Sequence, residues 1–251
     1  MSRYLKATGL ALAALFAIGA LLAQGAQAAV EHTFHSDVGE TIVTGEFHAG
    51  VKGKFSVGGS TIECESAKFE GTVEGRERKE ITITPTYGST TKPSGCEEAK
   101  NHVEAIIHTN HCAYIFTSNT TVSTETPEVQ EHGTEHIECA SGSGIEITFP
   151  SIGATIHIGE QTPTHGVKYT NAETAGHKEI TVHTTAKNLT TTCSGNCFLL
   201  PGEGKTTTGT YDGTETWKGY EDKKPIGTGT ERTTPTGFEE GTQINISVST
   251  P

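Results

Sequence analysis

Apolar residues recur at every second position along short stretches of this chain, and that period constrains the fold more than any other feature. Ile81 alternates with Ile83, Val103 with Ala105, Cys112 with Tyr114 and Phe116, Ile145 with Ile147 and Phe149, Ile156 with Ile158, and Ile244 with Ile246 and Val248. Successive side chains of a strand point to opposite faces, so each stretch has one buried face and one wet face of Thr, Glu, Lys or His. Only 97–107 could be argued as a short helix, and the β-branched Ile106 and Ile107 at its end weaken that case.

Turn-forming residues separate these stretches, among them Pro85, Gly88, Pro150, Gly153, Gly159 and Pro163. Such connections join antiparallel neighbours and are too short for the crossover helices of a parallel sheet. The expected fold is therefore all-β, an antiparallel β-sandwich or barrel-like module. About one residue in six is Thr and 30 are Gly, which favours extended backbone broken by turns. A disordered Thr-rich stalk is the competing reading, and the alternation confines it to parts of 118–134, 201–208 and 221–242.

Residues 1–28 open with Arg3 and Lys6, continue through an uncharged run from Ala7 to Ala23, and end in Ala26-Gln27-Ala28. That is the layout of a secretory signal peptide cleaved before Ala29, and no second hydrophobic run follows to hold the mature chain in a membrane. All six cysteines, Cys64, Cys96, Cys112, Cys139, Cys193 and Cys197, lie after the cleavage point. An even number in an oxidising compartment predicts disulfides. Fifteen connectivities remain open; the preferred one is sequential, and its first two bridges would each contribute roughly 3–4 kcal/mol.

The 223 residues left after cleavage suffice for one large β domain or two small ones. Without Arg3 and Lys6, 16 basic residues face 30 acidic ones, a formal charge of −14 that disfavours nucleic acid and anionic lipid. Asp occurs only at 37, 212 and 222, so no D-x-D-x-D-G calcium loop can be built.

Weak internal matches suggest a duplication with halves at 29–135 and 136–251. Arg78–Thr84 matches His177–His183, Phe69–Thr72 matches Tyr211–Thr214, and Ile62–Cys64 matches Ile137–Cys139. The leader, Ile62-Glu-Cys64, Phe69-x-Gly-Thr72, Ile81–Tyr87, Cys96, Asn110-His-Cys112-Ala-Tyr114-x-Phe116 and Ile137-Glu-Cys139 together resemble secreted β-rich proteins of soil actinobacteria. The resemblance implies an extracellular or envelope-associated β protein and defines no functional residues. It departs at Ile152–Ile156, where those proteins often carry a cysteine near Ala154.

Candidate chemistry is sparse. His108 with His111 and His132 with His136 are close in sequence, but neither pair makes H-E-x-x-H and both lie in strands or loops, so they read as solvated histidines rather than metal ligands. Cys193 and Cys197 have three residues between them, against two in a redox C-x-x-C, and read as a structural clip. No G-x-S-x-G elbow is present. Neither a catalytic residue nor a cofactor is assigned. The best recognition feature is Tyr211, Trp217 and Tyr220, whose rings could stack on a glycan or anchor a surface protein, unless Trp217 fills the core. The expected role is thus a secreted or cell-envelope binding or structural module. The alternative is a polysaccharide hydrolase using a glutamate pair such as Glu138 with Glu146 or Glu63 with Glu70.

Overall fold

A computed structural model describes residues 33–88, 95–118, 130–197, 206–221 and 241–249. Residues 1–28, expected to be a cleaved leader, and most of the segments expected to be disordered lie outside the described residues. Within them every regular element is a strand.

After β1 (Thr33–Ser36), the chain forms eight antiparallel tracks, six of them interrupted midway. The first track is β2 (Glu40–Phe47) and β3 (Gly53–Val57). The second returns through β4 (Ser60–Cys64) and β5 (Ala67–Glu74), after which β6 (Glu77–Arg78) is a short detour. The third is β7 (Glu80–Tyr87) and β8 (Cys96–Glu98); the fourth is β9 (Val103–His108) and β10 (Cys112–Ser118). The fifth is β11 (Gln130–Cys139) and β12 (Ile145–Phe149), and the sixth is β13 (Ala154–Ile158) and β14 (Thr164–Thr174). The seventh and eighth are the long strands β15 (His177–Gly195) and β16 (Thr206–Glu221). β17 (Thr242–Ile244) and β18 (Ile246–Ser249) end the described chain.

Each track pairs with the next in sequence. β16 pairs with β15 on one side and with β2 and β3 on the other, so the ladder returns to where it began. The result is a fifteen-stranded antiparallel sheet and a three-stranded one, ordered β18-β1-β6. The breaks divide the large sheet into two tiers. The first contains β2, β5, β7, β10, β11, β14, the front of β15 and the back of β16. The second contains β3, β4, β8, β9, β12, β13, the back of β15 and the front of β16.

The uninterrupted β15 changes tier through a bulge. Ile180, Val182, Thr184 and Ala186 are buried, and then Leu189, Thr191 and Cys193 are, a change from even to odd positions. A strand alternates strictly, so one extra residue must be absorbed to keep both sets inside. The register against β16 shifts between Ala186 and Leu189, where Asn188 takes φ 57°, a left-handed conformation that Asn tolerates.

All three cysteine pairs are sequential: Cys64–Cys96, Cys112–Cys139 and Cys193–Cys197. The first two join residues directly opposite each other in their ladders, beside the breaks of the second, third, fourth and fifth tracks. They staple the waist where backbone pairing is interrupted. The 97–107 segment is strand, turn and strand, with the Glu98 carboxylate accepting from Asn101 N at 2.7 Å and Nδ2 at 2.8 Å.

The described residues lie within one compact unit, and position 135/136 falls inside β11. The matched segments lie four tracks apart (third and seventh), six apart (second and eighth) and three apart (second and fifth), so no single superposition of halves carries all three. Inward positions of any such meander share one apolar alternation, which by itself produces short matches of this kind.

Candidate functional site

Tyr211, Trp217 and Tyr220 do not form an exposed platform. Tyr211 and Trp217 occupy inward positions of β16 and are buried, whereas Tyr220 is half-buried on the opposite parity. Stacking needs a solvent-facing ring, so the first two rings belong to the core. Trp217 packs edge-on against Phe116 at 4.9 Å and beside Tyr169 at 6.4 Å. The indole needs the space at Gly45, where a Cβ would lie 2.6 Å from Trp217 Cδ1.

Around this tryptophan lies a polar interior that the sequence reading missed. Glu135 and Glu215 are almost wholly shielded, at 3% and 1% exposure. Trp217 Nε1 donates to Glu215 Oε2 at 3.0 Å and Tyr211 Oη to Glu215 Oε1 at 3.3 Å. The hydroxyls of Tyr87 and Tyr114 are 3.0 Å apart. Burial, then the neighbouring Glu215, pushes the Glu135 carboxyl up to about 8; burial pushes Glu215 up to about 8 against the pull of its Trp217 and Tyr211 donors. A carboxyl in low dielectric keeps its proton because the charged form is poorly solvated. Strand parity was the available signal, since Glu135 shares a face with Ile137, and Glu215 with Trp217.

The glutamate pairs nominated from sequence do not face each other across a ladder. Glu63 and Glu70 lie along the second track on either side of its break, and Glu138 and Glu146 likewise along the fifth. Glu63 is held below the usual carboxylate range by hydrogen bonds from Lys52 and Lys54, both at 3.2 Å. His108 and His111 bracket the turn before β10, and His136 Nδ1 sits 2.7 Å from Thr162 Oγ1. The His132 side chain lies outside the described residues. Among the described residues no group of three or more His, Cys, Asp or Glu is gathered as metal ligands, and no helix is long and apolar enough to cross a membrane.

The structure does assemble a polar row on the outer wall of the second tier. Cross-strand register places His108 of β9 opposite Glu146 of β12, Glu146 opposite His157 of β13, and His157 opposite Thr192 of β15. Ser194, two residues beyond Thr192, reaches diagonally to His157, with Oγ 2.8 Å from Nε2. On the other side of that ring, Nδ1 is 3.3 Å from Glu146 Oε1. An N–H of Nδ1 facing the carboxylate leaves Nε2 to accept the Ser194 hydroxyl proton.

Glu146, His157, Thr190 and Thr192 also line a cleft of about 340 Å³, walled by the turn Gly142–Gly144 and by Gly159. Both walls are pinned. Asn110 Nδ2 donates to Gly144 O at 3.0 Å. The Gln161 amide donates to Thr190 O at 3.2 Å and accepts from Thr190 N at 2.7 Å. The cleft thus opens where tracks four to seven are interrupted or bulged, and the residues that interrupt them hold its rim. Each row member was legible as a wet-face residue, but their meeting depends on register between four strands. No protein family, curated protein or solved structure matches this chain.

Proposed function

We propose that the chain is an exported binding module, a single continuous β-barrel of eight tracks, whose ligand is a hydroxyl-bearing small molecule or glycan end held in the cleft beside Glu146 and His157. The pinned cleft carries this reading. Carboxylate, imidazole and two threonine hydroxyls converge there, the mixture of acceptors and donors that sugar hydroxyls require. The rim clasps hold those groups in place before binding, which lowers the ordering cost. Export is supported by the leader and by three disulfides, and the barrel reading by the ladder that returns through β16. The likeness to secreted β-rich actinobacterial proteins is part of the same proposal.

The test uses protein recovered outside the cell, whose intact mass should begin at Ala29. Titration against a panel of mono- and oligosaccharides should find a ligand whose affinity falls at least tenfold in Thr192→Arg, with the melting temperature unchanged. A full-length mass removes the export reading; a panel without any binder, or binding indifferent to Thr192→Arg, removes the cleft.

A further inference from the structure

We infer that Ser194, His157 and Glu146 form a nucleophilic relay that transfers a short acyl group from an ester of the cleft's hydroxyl-bearing ligand, such as an O-acetylated sugar, to water. The inference rests on the cleft reading only for how the ester is brought to Ser194. The relay itself stands on two contacts and on their polarity. Ser194 Oγ is 2.8 Å from Nε2 of His157, and Nδ1 of the same ring is 3.3 Å from Glu146 Oε1. A nucleophile within reach of a base that a third group orients is the arrangement acyl transfer requires.

The backbone holds the three in order. Glu146 and His157 are direct cross-strand partners, and Ser194 is the partner of Thr155, two residues from His157. Ser194 lies between Cys193, bridged to Cys197, and Gly195, at φ 77°. A Cβ at Gly195 would meet Gly153 O at 2.2 Å, so the end of β15 sits tightly against the turn before β13. The disulfide and this close approach hold the nucleophile's strand end in place.

The chemistry balances without a metal or redox partner. Ser194 Oγ bonds to the ester carbonyl carbon while its proton passes to His157 Nε2. The tetrahedral intermediate collapses, the bond from carbonyl carbon to alcohol oxygen breaks, and the imidazolium proton goes to the departing alcohol. Water then attacks the acyl-Ser194 carbonyl carbon, giving its proton to His157. The carboxylic acid leaves and Ser194 recovers its hydrogen. Glu146 is a positioning residue, holding the tautomer and steadying the imidazolium.

General-base assistance contributes about 10²–10⁴-fold. Hydrolysis of 4-nitrophenyl acetate by the oxidised mature chain should fall on the order of a hundredfold in Ser194→Ala and in His157→Ala. Glu146→Gln should lower kcat about tenfold at constant KM, with Glu146→Asp restoring most of it. A fluorophosphonate probe should label one residue, identified as Ser194 by peptide mass. Circular dichroism on each variant separates chemistry from folding. Equal hydrolysis by wild type and folded Ser194→Ala, or labelling only at another residue, overturns the inference. Labelling at Ser194 without any glycan binder in the panel upholds the relay and removes the cleft reading; glycan binding with Ser194 unlabelled does the reverse.

Discussion

The two tiers share every track of the meander yet fill their interiors by different means. The first adds aromatic and polar groups to an aliphatic set that includes Val43, Ile81, Ile83, Ile180 and Val182: Trp217, Tyr169, Phe116, Phe69 and Tyr114 are buried there with Glu135 and Glu215, and Cys112–Cys139 lies at its edge. The second is mainly aliphatic, with Ile62, Ile107, Ile145, Ile147, Ile156 and Ile158 inside, and it carries Cys64–Cys96 at the waist and Cys193–Cys197 at the end of β15. Large rings make many contacts in a small interior, but their hydroxyl and indole groups need partners: Glu215 accepts from Trp217 and Tyr211, Thr117 O accepts from Tyr169, and the Tyr87 and Tyr114 hydroxyls pair with each other. Isoleucines need no polar partners, and shorter tracks there gain support from covalent links. One chain thus shows two ways for a narrow β interior to compensate for modest apolar content.

Trp217→Ala should separate the tiers most strongly. Loss of the indole opens a cavity and removes the 3.0 Å donor to Glu215, so a destabilisation of about 3–5 kcal/mol is expected in denaturant titration. Hydrogen exchange should accelerate first in β2, β10 and β16; uniform acceleration through β12 and β13 would show that the tiers do not differ in local stability.

Replacing Cys64 and Cys96 together with Ala attacks the other tier. The bridge spans 32 residues, and its removal should cost about 3–4 kcal/mol by chain entropy. Exchange should then rise first in β4 and β8. A midpoint unchanged from wild type would mean that the aliphatic interior alone suffices.

The smallest effect per increment is set by pH and belongs to the first tier alone. The carboxyls of Glu135 and Glu215 lie near 8 in the fold, above their ordinary value of 4.5. Their folded forms hold protons that the unfolded chain releases, so their contribution is fully present below about 4.5 and is lost as pH rises to about 8. The slope is at most about 1.4 kcal/mol per pH unit for each carboxyl. Tyr87, Tyr114, Tyr169 and Tyr211, which surround them, are pushed above the usual phenol range by burial and do not titrate in this window. Urea midpoints from pH 5 to 8 should fall for wild type and flatten for Glu135→Gln/Glu215→Gln. Equal slopes in both proteins would place the charged forms in solvent.

Much of this architecture was readable from residue spacing. The pairs at 81 and 83, 145 and 147, and 156 and 158 face inward as alternation required, and nearest-neighbour cysteines were the right partners because adjacent tracks are adjacent in space. The aromatic segment at 211–220 suits a recognition site or the core alike, because composition cannot tell an inward ring from an outward one. Parity with Ile244 and Ile246 would not have settled it either, since β16 meets β17 only at its end.

What the sequence determined by itself is local: strand period, most turn positions though not Pro85, which lies inside β7, the residues of each stretch that share a face, and a cysteine count that pairs completely. Those properties depend on neighbours within a few positions. Tertiary structure decided what meets across the ladder. It placed Glu135 beside Glu215 and carried His108, Glu146, His157 and Ser194 from four strands to one wall. Register supplies the reason: sliding one strand by a single residue turns its inner face outward, and only the pairing of each track with its neighbours, with the bulge at Asn188 taking up the odd residue, fixes which side chains stand together.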